Sequence, residues 1–262
     1  MNKRSIVIAA AALAAVGGLG AFLWLRPRSR GLATPVLVLV SGDVRIDASK
    51  GKVADVVPVG AWVRTGALGS ACFSLHAGRV CLGTQAGVRL ASLDATAATL
   101  DVERGTVVVG SSTEVVAVKL SGGAVQIAQG TTAIEASASD VTVRALDGSA
   151  TVTAGSRPPA VIAATSAFGL ADGKPRPSLP ALEAEEREAL AVARSWQGTA
   201  GATLDVRAQH GRVEVDGHDV GHAPASFLLS EGSHTVVIHS GPHDVTKKTL
   251  DLSAGQKAVI DG

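Results

Sequence analysis

Turn-forming glycines punctuate the chain from Val36 to Thr153, and the stretches between them carry the alternation of strands, with no helical pattern intervening. Ser41-Gly42, Lys50-Gly51, Gly66, Ala77-Gly78, Arg104-Gly105, Gly122-Gly123, Gln129-Gly130 and Asp147-Gly148 each mark a reversal. Apolar and polar residues alternate between them, as in Asp43-Val44-Arg45-Ile46-Asp47 and Val141-Thr142-Val143-Arg144. A period of two is the pattern of a half-buried strand. Short strands at this spacing predict an all-β module over residues 35–155. Its segments look alike without a fixed period, so no strict repeat is read. Composition narrows the partners. The net charge is +1 and Tyr is absent. A nucleic-acid surface needs a basic stripe, and base- or sugar-stacking platforms need aromatics. No nucleic-acid partner is expected.

The N-terminus carries a different signal. Met1–Arg4 is short and basic, Ser5–Leu25 has no charged residue, and Arg26, Arg28 and Arg30 close the stretch. As a helix it is long enough to cross a bilayer core of about 30 Å. Residues 1–30 are therefore read as a transmembrane anchor with basic flanks. The alternative is a cleaved signal peptide, with small-x-small sites at Ala12-Leu13-Ala14 and Gly18-Leu19-Gly20. Ala10, Ala14 and Gly18 form a small-xxx-small row that would pair two such helices as a homodimer. Basic residues flank both ends, so the orientation with the C-terminal bulk in the periplasm rests on the exported character of the rest.

Residues 156–200 read as a linker and one helix. Pro158, Pro159, Pro175, Pro177 and Pro180 oppose regular pairing. Ala181–Gln197 then places Leu182, Ala189, Leu190, Ala193 and Trp196 near one helical face, with Glu183, Glu185, Glu186 and Glu188 at its start and Arg194 near its end. Residues 203–262 return to strand patterning, with Asp216-Gly217 and Glu231-Gly232 as turns. The expected fold class is mostly β: a transmembrane helix, an all-β solenoid or sandwich, one linker helix and a C-terminal β-sandwich.

The first β region resembles the FecR domain, an extracytoplasmic module of membrane-bound regulators. The carrying segments are Ser41-Gly42-Asp43-Val44, Val59-Gly60-Ala61-Trp62-Val63-Arg64-Thr65-Gly66, Ala77-Gly78-Arg79-Val80-Cys81-Leu82 and Leu100 to Val109 around Gly105. The resemblance implies an all-β fold without an active site. Read from the residues themselves, Gly42, Gly66, Gly78 and Gly105 serve turns or close approaches. Trp62 is read as a core anchor between valine-rich strands, with carbohydrate stacking as the alternative. Regulators of this family carry an anti-sigma segment before the membrane helix. Only Met1–Arg4 stands there in this sequence, so a direct anti-sigma role is not expected.

The second β region resembles the PEGA domain, a small β-sandwich of envelope proteins. Val215, Asp216, Gly217, Val220, Gly221, Pro224, Gly232 and His234 fall on the family pattern. The resemblance implies no catalysis.

Candidate chemistry is sparse. His210, His218, His222, His234, His239 and His243 crowd the last region. His218-Asp219-Val220-Gly221-His222 imitates a zinc-protease motif, but that motif needs a helix and a Glu, and glycines here make a turn. No metal or cofactor site is assigned. A predicted hairpin through His76–Arg79 puts Cys72 and Cys81 on one face at diagonal positions, either bonded or as two buried thiols. No nucleophile elbow, phosphate loop or carboxylate pair is present, so the chain is read as no enzyme. The leading reading is an envelope scaffold or sensor subunit at the inner membrane, binding a protein or cell-wall partner. The rival is a transmembrane regulator acting through helix pairing or a cytoplasmic partner.

Overall fold

The computed structural model describes residues 34–171, 174–176, 202–241 and 244–261. The expected membrane helix, its small-residue row and the expected linker helix lie outside these residues. Among the described residues every regular element is a strand, and no helix is long and apolar enough to cross a membrane. The expectation of a fold combining helices with β modules is corrected accordingly.

The first region contributes β1 (Leu37–Ser41), β2 (Val44–Ile46), β3 (Ser49–Lys50), β4 (Trp62–Thr65), β5 (Ser70–Ser74), β6 (Gly78–Leu82), β7 (Gly87–Leu93), β8 (Ala97–Ser111), β9 (Val115–Leu120), β10 (Gly123–Ala136) and β11 (Asp140–Ala154). It continues into β12 (Ala160–Ala163), β13 (Ala167–Ala171) and β14 (Lys174–Arg176). These last three occupy the stretch read as linker. β12 and β13 pair with β11, and β14 with β13. Pro175 is accommodated in β14, whose ladder partner is β13 alone among the described strands.

Three long strands organise this region into two layers. The first part of β8 pairs with β7 and β9, its second part with β6 and β10. β10 divides the same way, with β9 beside its first part and β8 beside its second. β11 has β13 on its first part and β12 on its second. Each strand therefore leaves one layer and enters the other. The crossing points are glycines in left-handed conformations: Gly105 (φ 86°), Gly130 (φ 111°) and Gly148 (φ 66°). A side chain at Gly105 would stand 2.5 Å from the Ala86 Cα, and one at Gly148 2.3 Å from the Gln129 carbonyl. Only glycine meets both demands. Between the layers lie Leu37, Val63, Phe73, Val88, Leu90, Leu100, Val107, Val109, Ile127 and Ile134, all fully buried.

The second region adds β15 (Ala202–Val206), β16 (Arg212–Val215), β17 (His218–His222), β18 (Ala225–Leu229), β19 (Gly232–His239), β20 (Val245–Leu252) and β21 (Lys257–Ile260). β17 replaces the bare turn expected at His218–His222. β18 pairs with β1 of the first region, Leu39 opposite Phe227 and Ser41 opposite Ala225. β15 and β21 continue that layer outward. The remaining strands make a four-stranded sheet in the order β17-β16-β19-β20. A second hydrophobic cluster joins Val38, Leu39, Cys72, Cys81 and Val108 of the first region to Leu204, Val213, Phe227, Val236, Ile238 and Ile260 of the second. From Thr34 onward the two regions are one compact unit.

Candidate functional site

Alternation along β4 decides where Trp62 points. Val63 and Thr65 are buried inward, so Trp62 and Arg64 face out of the sandwich. The core-anchor reading is corrected. The Arg64 guanidinium lies over the indole at 4.6 Å, and that of Arg89, opposite Trp62 on β7, at 5.6 Å. Each arginine is steered by a carboxylate. Arg64 Nε donates to Glu103 Oε2 at 3.1 Å, and Arg89 Nε to Asp101 Oδ2 at 2.8 Å. Such stacks contribute about 0.5–1 kcal/mol each at half-exposed sites. The Trp62 amide donates to Asp47 Oδ1 at 2.9 Å, which fixes the start of the strand.

The same outward face runs on across the layer. Asp101 is in register with Lys119 on β9, and Thr99, Ala117, Gln126 and Thr151 follow one another on neighbouring strands. Their side chains are short or flexible. A wall of one tryptophan and two arginines thus borders a level, largely uncharged strip.

The other motif residues of the first region hold the fold. Thr65 Oγ1 donates to the Gly83 carbonyl at 2.6 Å and accepts from the Ala86 amide at 2.9 Å. The Gly66 amide donates to the Asp43 carbonyl. A side chain at Gly42 would meet the Leu68 carbonyl, and one at Gly78 the Gly110 carbonyl, each well inside contact distance. Gly60 has a φ of 92°.

The motif residues of the second region are equally structural. Asp216 and Gly217 both have positive φ, the pair required by a two-residue hairpin turn between Val215 and His218. Asp216 Oδ1 accepts from the Thr235 amide at 2.8 Å, and Oδ2 lies 2.7 Å from His234 Nδ1. The other nitrogen of His234 is 3.1 Å from the Ser230 carbonyl. Val215 and Val220 are buried. Gly221 and Gly232 take φ values of 111° and 125°, and the Ala223-Pro224 peptide is cis. The Pro224 carbonyl receives the Gly42 amide, one more tie between the regions.

Cys72 and Cys81 form a disulfide. The hairpin loop lies one residue earlier than the sequence suggests, at 75–78, which shifts the pairing by two: Phe73, expected opposite Leu82, faces Val80, and Ser74 faces Arg79. The cysteines are thereby directly opposite, not diagonal. They are 7% and 8% exposed and belong to the cluster shared with the second region.

One buried charge escaped the sequence reading. Glu114, between β8 and β9, is 1% exposed, and its carboxylate oxygens make no well-aligned hydrogen bond. Burial holds its pKa above the usual carboxylate range, against the pull of the Ala77 amide and of His76, while Asp94 adds a push upward. A glutamate flanked by Thr113 and Val115 in a turn gives no signal of this burial. Among the described residues no group of three His, Cys, Asp or Glu gathers as a metal site.

No protein-family model matches the chain, and no curated protein matches it. Two solved structures of a putative anti-sigma factor from Parabacteroides distasonis align with it at a TM-score of 0.40. Identity is 10% and 11%, over 44% of this chain and 57% and 56% of that one. A likeness this loose carries no argument about this protein.

Proposed function

We propose that this is an exported, non-enzymatic recognition protein of the cell envelope, a scaffold or sensor subunit that holds a protein or cell-wall partner on the Trp62 face. The observation that carries the reading is the outward placement of Trp62. The core is closed without it, so a large apolar ring is kept at the surface between two arginines, a composition typical of binding hot spots. The disulfide supports the compartment, because such bonds persist outside the reducing cytoplasm. Ser5–Leu25 serves as the export or anchoring signal toward the inner membrane and periplasm. The FecR and PEGA resemblances fit an accessory role in a regulatory or signalling assembly.

The test is site-directed photocrosslinking in the native cell, with the photoreactive residue at Thr99 or Lys119, together with sedimentation on purified cell-wall sacculi. The reading expects capture of one partner or of the wall, lost in Trp62→Ala. Capture unchanged by Trp62→Ala, or none at all from this face, contradicts it.

A further inference from the structure

One row of side chains crosses the layer that the two regions share. Leu204 on β15 is in register with Phe227 on β18, and Phe227 with Leu39 on β1. The row continues through Cys72 on β5, Cys81 on β6, Val108 on β8, Ala133 on β10 and Arg144 on β11 to Ala167 on β13. Residues directly opposite on neighbouring strands share a face. This is the outer face, because the alternate positions Val80, Val107, Val109, Ile134 and Val143 fill the core between the layers. From Leu204 to Arg144 every member is nonetheless less than a tenth exposed. An outer face this dry has a cover. Over Leu204, Phe227 and Leu39 the cover is the four-stranded sheet, through Val213, Val236 and Ile238 of the same cluster.

We propose that the chain segment 177–201 is docked on the remainder of this face, over Arg144, Ala133 and Val108. Its ends are fixed by strands at opposite ends of the row. Arg176 closes β14, which pairs with β13 beyond Arg144, and Ala202 opens β15. The ladder between them runs β14-β13-β11-β10-β8-β6-β5-β1-β18-β15. At the usual spacing of strands that is about 40 Å along the sheet. A segment of this length spans it with slack, since an extended chain covers about 3.3 Å per residue. The inner face is closed to it by the core.

The order of side chains commits the face to this occupant. Leaving β14, the segment presents Glu183, Glu185, Glu186 and Glu188, a net negative stretch even with Arg187, and only then Leu190, Val192 and Trp196. Leaving β13, the row presents the guanidinium of Arg144, and only then Ala133, Val108 and the disulfide. Carboxylates thus arrive at the cation, which offsets the cost of holding it away from water. Apolar side chains arrive at the apolar stretch, which removes both from water. The adjacent row on the same face, Arg79, Gly110, Thr131 and Asp147, carries one charge of each sign. A separate partner on this face would leave Leu190, Val192 and Trp196 in water.

The test is intramolecular photocrosslinking in the full chain. Photoreactive benzoylphenylalanine replaces Leu190 or Ala193, and linked peptides are identified by mass spectrometry, with light and heavy protein mixed so that links between copies are recognised. The expected links run within one chain to peptides of β6, β8 or β10 that contain Cys81, Val108 or Ala133. Two variants change the segment and leave every strand residue as it is. Glu185→Lys/Glu186→Lys sets cations against Arg144, and Leu190→Asp/Val192→Asp removes the apolar contact. In each, trypsin is expected to cut after Arg194 roughly ten-fold faster or more than in the parent, the equivalent of one buried leucine lost. Links to the Trp62 face, links between copies only, no links, or cutting after Arg194 as fast in the parent as in both variants overturns the proposal.

Discussion

Cys72 and Cys81 stand directly opposite each other on β5 and β6, their Cα atoms 4.1 Å apart, and the bond is packed in one cluster with Leu204, Val213 and Phe227 of the second region. The cross-link therefore does two things. It restrains a short hairpin, and it forms part of the surface on which the second region is built. Closing a loop of this length stabilises by about 2–3 kcal/mol through the unfolded chain. Urea unfolding with and without reductant is expected to differ by that amount. Cys72→Ala/Cys81→Ala should match the reduced protein. Equal curves with and without reductant would show that the bond contributes nothing.

Trp62→Ala separates a surface role from a core role. A buried tryptophan costs about 3–5 kcal/mol on truncation to alanine. The outward Trp62 loses two cation–π stacks, and a destabilisation of roughly 1–2 kcal/mol is expected. A loss at the core value would return the residue to the interior.

Gly105→Ala tests the layer crossing. At this position φ is 86°, and a methyl group would sit 2.5 Å from the Ala86 Cα. Strain of this kind costs roughly 1–3 kcal/mol from φ alone, and the clash adds to it. The same substitution at Gly155, also left-handed but with open space around it, is expected to cost no more than the φ strain. Denaturant midpoints of the two variants make the comparison, and equal losses would exclude the close approach.

Glu114 makes stability depend on pH. Its folded pKa is raised above the ordinary glutamate value by burial. The contribution is fully present below that ordinary value and is lost as pH rises through the raised one. Glu114→Gln keeps the shape and removes the charge. At pH 7 it is expected to stabilise, because no charge then has to be held away from water, and this gain should fade in acid, where the parent carboxyl is neutral as well. A Glu114→Gln protein less stable than the parent at pH 7 would mean that the carboxylate is paired.

Local features of the fold were legible where chemistry is local. Gly42 and Asp216-Gly217 are legible as turns because few other residues take their backbone conformations, whereas Gly105, which reads as a reversal, lies inside β8 where the strand passes from one layer to the other. Trp62 was legible too, since the alternation Trp62-Val63-Arg64-Thr65 sets it on the face of Arg64. The apolar character of the ring points to the core, and only its place in the alternation points outward. The cysteine hairpin was misplaced by one residue because a four-residue loop at 75–78 and one at 76–79 look equally good in sequence. Pairing between β1 and β18 was not legible. Nothing near Leu39 encodes Phe227; the match depends on two apolar surfaces that exist only after each region has folded. The buried Glu114 was hidden for the same reason, being covered by the β5–β6 hairpin brought in from elsewhere in the chain.

The claim that this unit works outside the cytoplasm is tested most directly by thiol trapping. Cells expressing the full chain are quenched in acid and denatured, free thiols are alkylated, and the peptide containing Cys72 and Cys81 is examined by mass spectrometry without reduction. The account predicts that neither cysteine is alkylated and that the two are joined. Alkylation of both in the native cell would place the folded protein in a reducing compartment and contradict the account.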